Sequence, residues 1–163
     1  MTEQELLRKI IQEVGLEINT QEYLVDQDLG EIIIYNNTPL RFTLNTVFLM
    51  PITSTDVIFN PIRDIEIAKF ILSYYMTKLC YMYNRHFTFT GTYKDMNHCF
   101  VAEVKEQVHG ITHIIKSDPY NIQNLAYIDL IFKLTDDSLN LSTFDTYMAL
   151  IKDARVINND SYR

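Results

Sequence analysis

The chain has no tryptophan, and only four glycines and four prolines in 163 residues. That scarcity fits the absence of low-complexity tracts, internal repeats and linkers. Cysteine is also rare. Cys80 and Cys99 are too few for the disulfide framework of a small secreted domain, so both are expected to be buried free thiols. Basic residues never cluster, and the longest basic run is Arg8-Lys9. With 14 Lys and Arg against 21 Asp and Glu, the net charge is −7. Phosphate binding needs clustered cations, so sequence-specific or high-affinity nucleic-acid binding is disfavoured. An acidic surface still suits a wall that DNA slides past without sticking.

Long apolar runs are missing too. None approaches the roughly 20 residues that span a bilayer, so no membrane partner is expected. The start, MTEQELLRK, lacks the basic-then-apolar layout of a signal peptide. A reducing cytoplasm, or a particle assembled there, is the expected setting. Glycine-rich phosphate cradles, a Walker lysine motif and a nucleophile elbow are absent as sequence motifs.

Hydrophobic residues make up 47% of the chain, and tyrosine (11) and phenylalanine (9) are abundant. A chain of this size buries roughly 70% of its unfolded surface, enough for a core without staples. One α+β domain over residues 1–155 is expected, with a polar tail over 156–163. Its architecture is expected to be a small antiparallel sheet packed on a long central helix, with further N- and C-terminal helices.

The elements follow from local pattern. Thr2-Glu3-Gln4-Glu5 is a capping box opening a first helix, with Leu6, Leu7, Ile10, Ile11 and Val14 as its apolar face and Gly15 as its stop. Tyr23–Val25, Glu31–Tyr35 and Leu40–Leu44 form a meander around turns at Asp26–Gly30 and Asn36–Pro39. Pro51 argues against a central strand in 45–55. Phe87–Thr90 and Phe100–Val108 alternate as strands, with Gly91 breaking the first. Ser117-Asp118-Pro119 announces a helix to about Leu134, and Ser142 or Thr143 caps a last one through Ile151.

The richest segment is 57–87. Asn60-Pro61 is a helix-start signal, because proline's missing N–H costs nothing in a first turn. The helix runs to about Asn84. Glu66, Lys69, Ser73 and Thr77 form one narrow polar stripe. Ile65, Ala68, Leu72, Tyr75, Met76 and Leu79 make one apolar face; Ile67, Phe70, Ile71, Tyr74 and Tyr81 make a second. An ordinary surface helix has a single apolar stripe. The second face predicts cover by a neighbouring subunit, and these five residues are the expected interface.

Catalytic or metal chemistry finds weaker support. His109 and His113 stand four apart, with His98 and Cys99 upstream. Gly110, Ile111 and Thr112 are poor helix formers, and on a strand the two imidazoles would sit about 13 Å apart. No glutamate occupies the HExxH position. His86 with Cys80 or Cys99 lacks any visible orienting group. Asp26, Asp28 and Glu31 resemble part of a calcium loop, but Tyr35, Asn36 and Asn37 do not complete it. Tyr74, Tyr75, Tyr81 and Tyr83 could stack bases, yet only Lys78 and Arg85 accompany them. The expectation is a protein that is not an enzyme and that holds no cofactor or metal.

Two segments carry a resemblance. VDQDLGEIIIYNNTPLRF (25–42) resembles a VyDQDTGe-x-i-x-y-x-gk-x-lk pattern, with Leu29 in place of threonine and Asn37-Thr38 in place of glycine-lysine. VIFNPIRDIEIAKFILSYYMTKL (57–79) resembles an Asp/Asn-Pro helix ending in YYxxK. Together, over residues 20–90, they resemble small virion proteins of crAss-like tailed phages. The resemblance implies a ring or head–tail connector subunit near the portal and tail, and it assigns no catalytic residue. A cyclic homo-oligomer with head-to-tail contacts, touching portal or tail subunits around a DNA channel, is then the expected assembly. The alternative is a small acidic regulatory or inhibitory protein that blocks a basic groove on a host or phage partner.

Overall fold

In the computed structural model, residues 3–42, 57–62 and 64–136 are described. They form an α+β fold of three helices and small sheets. The contacts divide at Asn60–Pro61 into two compact units.

In the first unit, α1 (Glu3–Glu13) buries the face its spacing announces: Leu6, Leu7, Ile10, Ile11 and Val14 are all buried. Gly15 takes φ +77° just past its end, the left-handed conformation that glycine adopts without a Cβ penalty. β1 (Leu16–Ile18) pairs antiparallel with β2 (Leu24–Asp26), and β3 (Ile34–Tyr35) with β4 (Thr38–Arg41). Asn36 and Asn37 both have positive φ, and this two-residue turn sets the register of the second pair. β5 (Val57–Ile58) then joins β4 in parallel, a pairing that no local pattern announces. Of the expected strands, only 34–35 of Glu31–Tyr35 lie in a ladder, with Ile32 bridging singly to Val25. Phe42 and Phe59 are buried, with ring centroids 5.9 Å apart.

In the second unit, α2 (Ile65–Tyr83) leads into a meander of β6 (His86–Lys94), β7 (Phe100–Val108) and β8 (Ile111–Lys116), closed by α3 (Gln123–Leu134). α2 starts four residues later than the Asn60-Pro61 signal suggests. Asp64 is the cap: its Oδ1 accepts from the backbone N–H of Glu66 (2.9 Å) and Ile67 (3.4 Å). The expected break at Gly91 does not occur. β6 continues through a register shift between Phe89 and Gly91, and the Thr90 hydroxyl at the shift bonds Glu103. Ser117-Asp118-Pro119 does not open α3 either. Tyr120 is held in extended backbone by reciprocal bonds with Phe100, so the helix begins at Gln123. The expected helix at 142–151 and the tail at 156–163 lie outside the described residues.

The sheet packs on α2 through β6 and on α3 through β7 and β8. α3 is the enclosed element: every residue from Asn124 to Phe132 is buried. α2 carries one buried stripe rather than two, made of Ile67, Ala68, Ile71, Leu72 and Leu79. The expected second face therefore divides. Ile67 and Ile71 belong to the chain's own core, Phe70 and Tyr74 are half-buried, and Tyr81 is 79% exposed. α2 packs against α3, and the buried stripe takes Ile67 and Ile71 from the second face and Ala68, Leu72 and Leu79 from the first.

Candidate functional site

The end of α2 and the first residues of β6 enclose an open groove of about 460 Å³, lined by Ser73, Met76, Thr77, Cys80, Tyr81, His86 and Phe87. Asn84 makes it possible. As the helix C-cap it adopts φ 54°, ψ 36°, and its N–H bonds the Cys80 carbonyl at 3.0 Å. That left-handed turn folds the chain back along the helix, so His86 faces the last turns of α2. His86 Nδ1 lies 3.5 Å from Cys80 Sγ, and its Nε2 lies 3.0 Å from Asn84 Oδ1. Because the amide oxygen can only accept, Nε2 carries the proton and Nδ1 presents its lone pair to the thiol. The orienting group, not visible in the sequence, is thus the helix cap itself.

Both thiols are free, but Cys80 is exposed and Cys99 only half-buried, so the expectation of two buried thiols holds for neither. The last turn of α2 has to project somewhere once its buried stripe ends at Leu79. Cys99 has separate partners, Asn121 Oδ1 at 3.3 Å and the Asn97 carbonyl at 3.8 Å. The Cys80–His86 pair is a poor acyl-transfer centre. Cys80 stands inside α2, so its own N–H belongs to the helical ladder rather than to an oxyanion hole.

Arg85 fixes the floor beside the groove. Its guanidinium forks onto Glu106, with Nε donating to Oε2 at 2.8 Å and Nη2 to Oε1 at 2.9 Å, and it also lies over the Phe87 ring at 4.9 Å. The paired guanidinium holds the Glu106 carboxyl below the usual carboxylate range, and Glu106 in turn raises Arg85.

The histidines of the other candidate do not converge. His109 is the first residue of the β7–β8 turn, His113 sits on β8 opposite Glu106, and His98 occupies a positive-φ loop position. Among the described residues no group of three or more His, Cys, Asp or Glu side chains is placed to hold a metal ion. In the acidic loop, Asp26 is buried and its Oδ1 accepts from the N–H groups of Asp28 and Leu29, both at 2.8 Å, which is a turn-stabilising role.

A second polar cluster lies under α3. Asp129 is fully enclosed, its Oδ2 accepting from the Asp118 N–H at 2.8 Å and facing Lys133 Nζ at 3.4 Å. Lys133 also reaches Asp118 Oδ1 at 2.8 Å and the Lys116 carbonyl at 3.2 Å. Burial pushes the Asp129 carboxyl above its ordinary range. It likewise raises the buried Tyr120 hydroxyl, whose side chain interacts with Asp129.

Apolar side chains remain exposed beside the groove: Tyr81 is 79%, Met82 38% and Tyr83 65% exposed. On β8, Ile111 is 61% and Ile114 58% exposed. Among the described residues no helix is long and apolar enough to cross a membrane. Compared with protein-family models, curated proteins and solved structures, the chain matches none.

Proposed function

We propose that this chain is a non-enzymatic structural subunit of a tailed-phage particle, of the ring or head–tail connector kind. It works by protein–protein contact. Copies join head to tail in a cyclic homo-oligomer that meets portal or tail subunits around the DNA channel, after assembly in the host cytoplasm.

The observation that carries this proposal is the exposed Tyr81-Met82-Tyr83 end of α2. Tyrosines with an apolar ring and a polar tip suit a surface that is wet in one state and buried in another. Of the five interface residues expected from sequence, Tyr81 is exposed and Phe70 and Tyr74 are half-buried, so these three supply the surface the proposal needs. The net charge of −7 suits a channel wall that does not trap DNA. The resemblance of 25–42 and 57–79 to small virion proteins supplies the particle setting.

Mass photometry and negative-stain electron microscopy of the full chain, alone and mixed with portal or tail proteins, test it. Discrete multimers are expected, weakened by paired Tyr81→Ser and Tyr83→Ser substitutions that leave the circular dichroism spectrum unchanged. A chain that stays monomeric in every mixture and is missing from purified particles overturns the proposal. Capture from infected cells on one non-virion protein would point to the regulatory alternative.

A further inference from the structure

Beyond assembly, we infer that Cys80 and His86 form an open binding site for a thiophilic d10 cation of the zinc class, with Asn84 as its positioning residue. Three observations converge on this pair. The first is the spacing. Zinc–sulfur and zinc–nitrogen bonds of about 2.3 and 2.0–2.1 Å, at a tetrahedral angle, set sulfur and nitrogen about 3.5 Å apart. Cys80 Sγ and His86 Nδ1 are 3.5 Å apart, the separation of two ligands on one ion, so only small side-chain rotations are needed to share it.

The second is the tautomer. A metal-binding imidazole ordinarily donates its other N–H to a carboxylate, a carbonyl or water, which fixes the ring and raises its basicity. His86 makes that contact through Nε2 to Asn84 Oδ1 at 3.0 Å. The nitrogen left to bind an ion is the one that faces the thiol.

The third is access. Cys80, Asn84 and His86 are all exposed, and the groove beside them has room for water on the open positions of the ion. Thr77 and Ser73 hydroxyls line the same groove, as does the soft thioether side chain of Met76 one turn before Cys80. Two protein ligands make this an open site, weaker than a closed four-ligand structural centre. On binding, the Cys80 thiol proton passes to solvent as the sulfur–metal bond forms, and nothing is oxidised or reduced.

Cadmium is the probe, because a cadmium–thiolate bond gives an ultraviolet charge-transfer band. Titrating the tag-free full chain should raise one such band per chain, and added zinc should abolish it. Cys80→Ser should remove the band, and His86→Ala should weaken binding at least tenfold. Asn84→Gly keeps the left-handed cap but removes the carbonyl, and should weaken binding about 10- to 100-fold. Cys99→Ser should bind as the parent does. All of these positions except Cys99 are exposed, and circular dichroism checks that each variant is folded. No band in excess cadmium, a band that survives Cys80→Ser, one that disappears with Cys99→Ser, or indifference to His86→Ala would each overturn the assignment. The titration reads the same on monomers and multimers, so its failure leaves the assembly proposal untouched.

Discussion

Arg85 and Glu106 join the end of α2 to the middle strand of the second unit by two charge-assisted hydrogen bonds, of 2.8 and 2.9 Å. Arg85 follows the left-handed Asn84 directly, so the cap aims the guanidinium and β7 supplies the carboxylate. Such bidentate pairs fix geometry as well as adding energy.

Removing the arginine leaves Glu106, 8% exposed, without its cation. Arg85→Ala should cost about 1–3 kcal/mol, less than a fully enclosed pair because the guanidinium is partly in water. Adding Glu106→Leu to that variant should recover most of the loss. The Glu106 carboxyl is held low in the fold, so its contribution is complete above the unfolded carboxylate range. It is lost as pH falls through the folded value. Urea denaturation of parent and Glu106→Gln at neutral and acidic pH checks both points: the gap between them should close on acidification.

Asp129 should behave with the opposite sign. Burial raises its carboxyl above the unfolded value, so the folded chain holds that proton more tightly. Stability from this group is then greatest at low pH and declines as pH rises from the unfolded value through the folded one. Asp129→Asn keeps an acceptor for the Asp118 N–H and removes the titration. The stability of that variant relative to the parent should climb with pH across this window, and a flat difference would contradict the assignment. Asp129→Ala also leaves the Asp118 N–H without its acceptor and should be about 1–3 kcal/mol less stable than Asp129→Asn at any pH.

How far the sequence announces all this varies by residue. α1 and β7 are legible because spacing alone decides them: Leu6, Leu7, Ile10, Ile11 and Val14 on one stripe, Ala102 and Val104 alternating inward. The start of α2 is harder, since Asn60 and Asp64 are both good caps and only the bonds to Glu66 and Ile67 choose between them. β8 escapes because its Ile-Thr-His-Ile-Ile-Lys run exposes most of its side chains, so no alternation of burial marks it. The faces of α2 depend on where α3 lies, which is a tertiary fact. Cys80 and His86 meet only because Asn84 takes a left-handed conformation, and an asparagine just past a helix was the one available hint.

Asn124 ties α3 to the approach of α2. Its Nδ2 donates to the carbonyls of Pro61 (3.3 Å) and Ile62 (3.1 Å), and the residue is only 6% exposed. No helix ladder reaches these two carbonyls, because α2 begins beyond them. Asn124→Leu should therefore destabilise by about 1–3 kcal/mol despite adding apolar volume. Asn124→Asp should be at least as damaging near neutrality, since it aims carboxylate oxygens at carbonyl oxygens. Chemical denaturation ranks the three chains, and a leucine variant as stable as the parent would show that the carbonyls do not depend on this amide.

The β7–β8 hairpin separates conformational cost from packing cost. Val108 pairs with Ile111, leaving His109 (φ 52°) and Gly110 (φ 77°) as a two-residue loop with positive φ at both positions. This mirror-image turn matches the twist of the strands it joins and favours asparagine then glycine. A Cβ on Gly110 would meet nothing within 4 Å, so Gly110→Ala should lose only backbone energy, about 1 kcal/mol. His109→Asn should be neutral or slightly stabilising, because asparagine tolerates this conformation better. That same variant leaves the Cys80–His86 pair intact and should bind cadmium as the parent does. Thermal melts and the metal titration together check the point. A large loss of stability or of binding in His109→Asn would mean that the imidazole does more than occupy a turn.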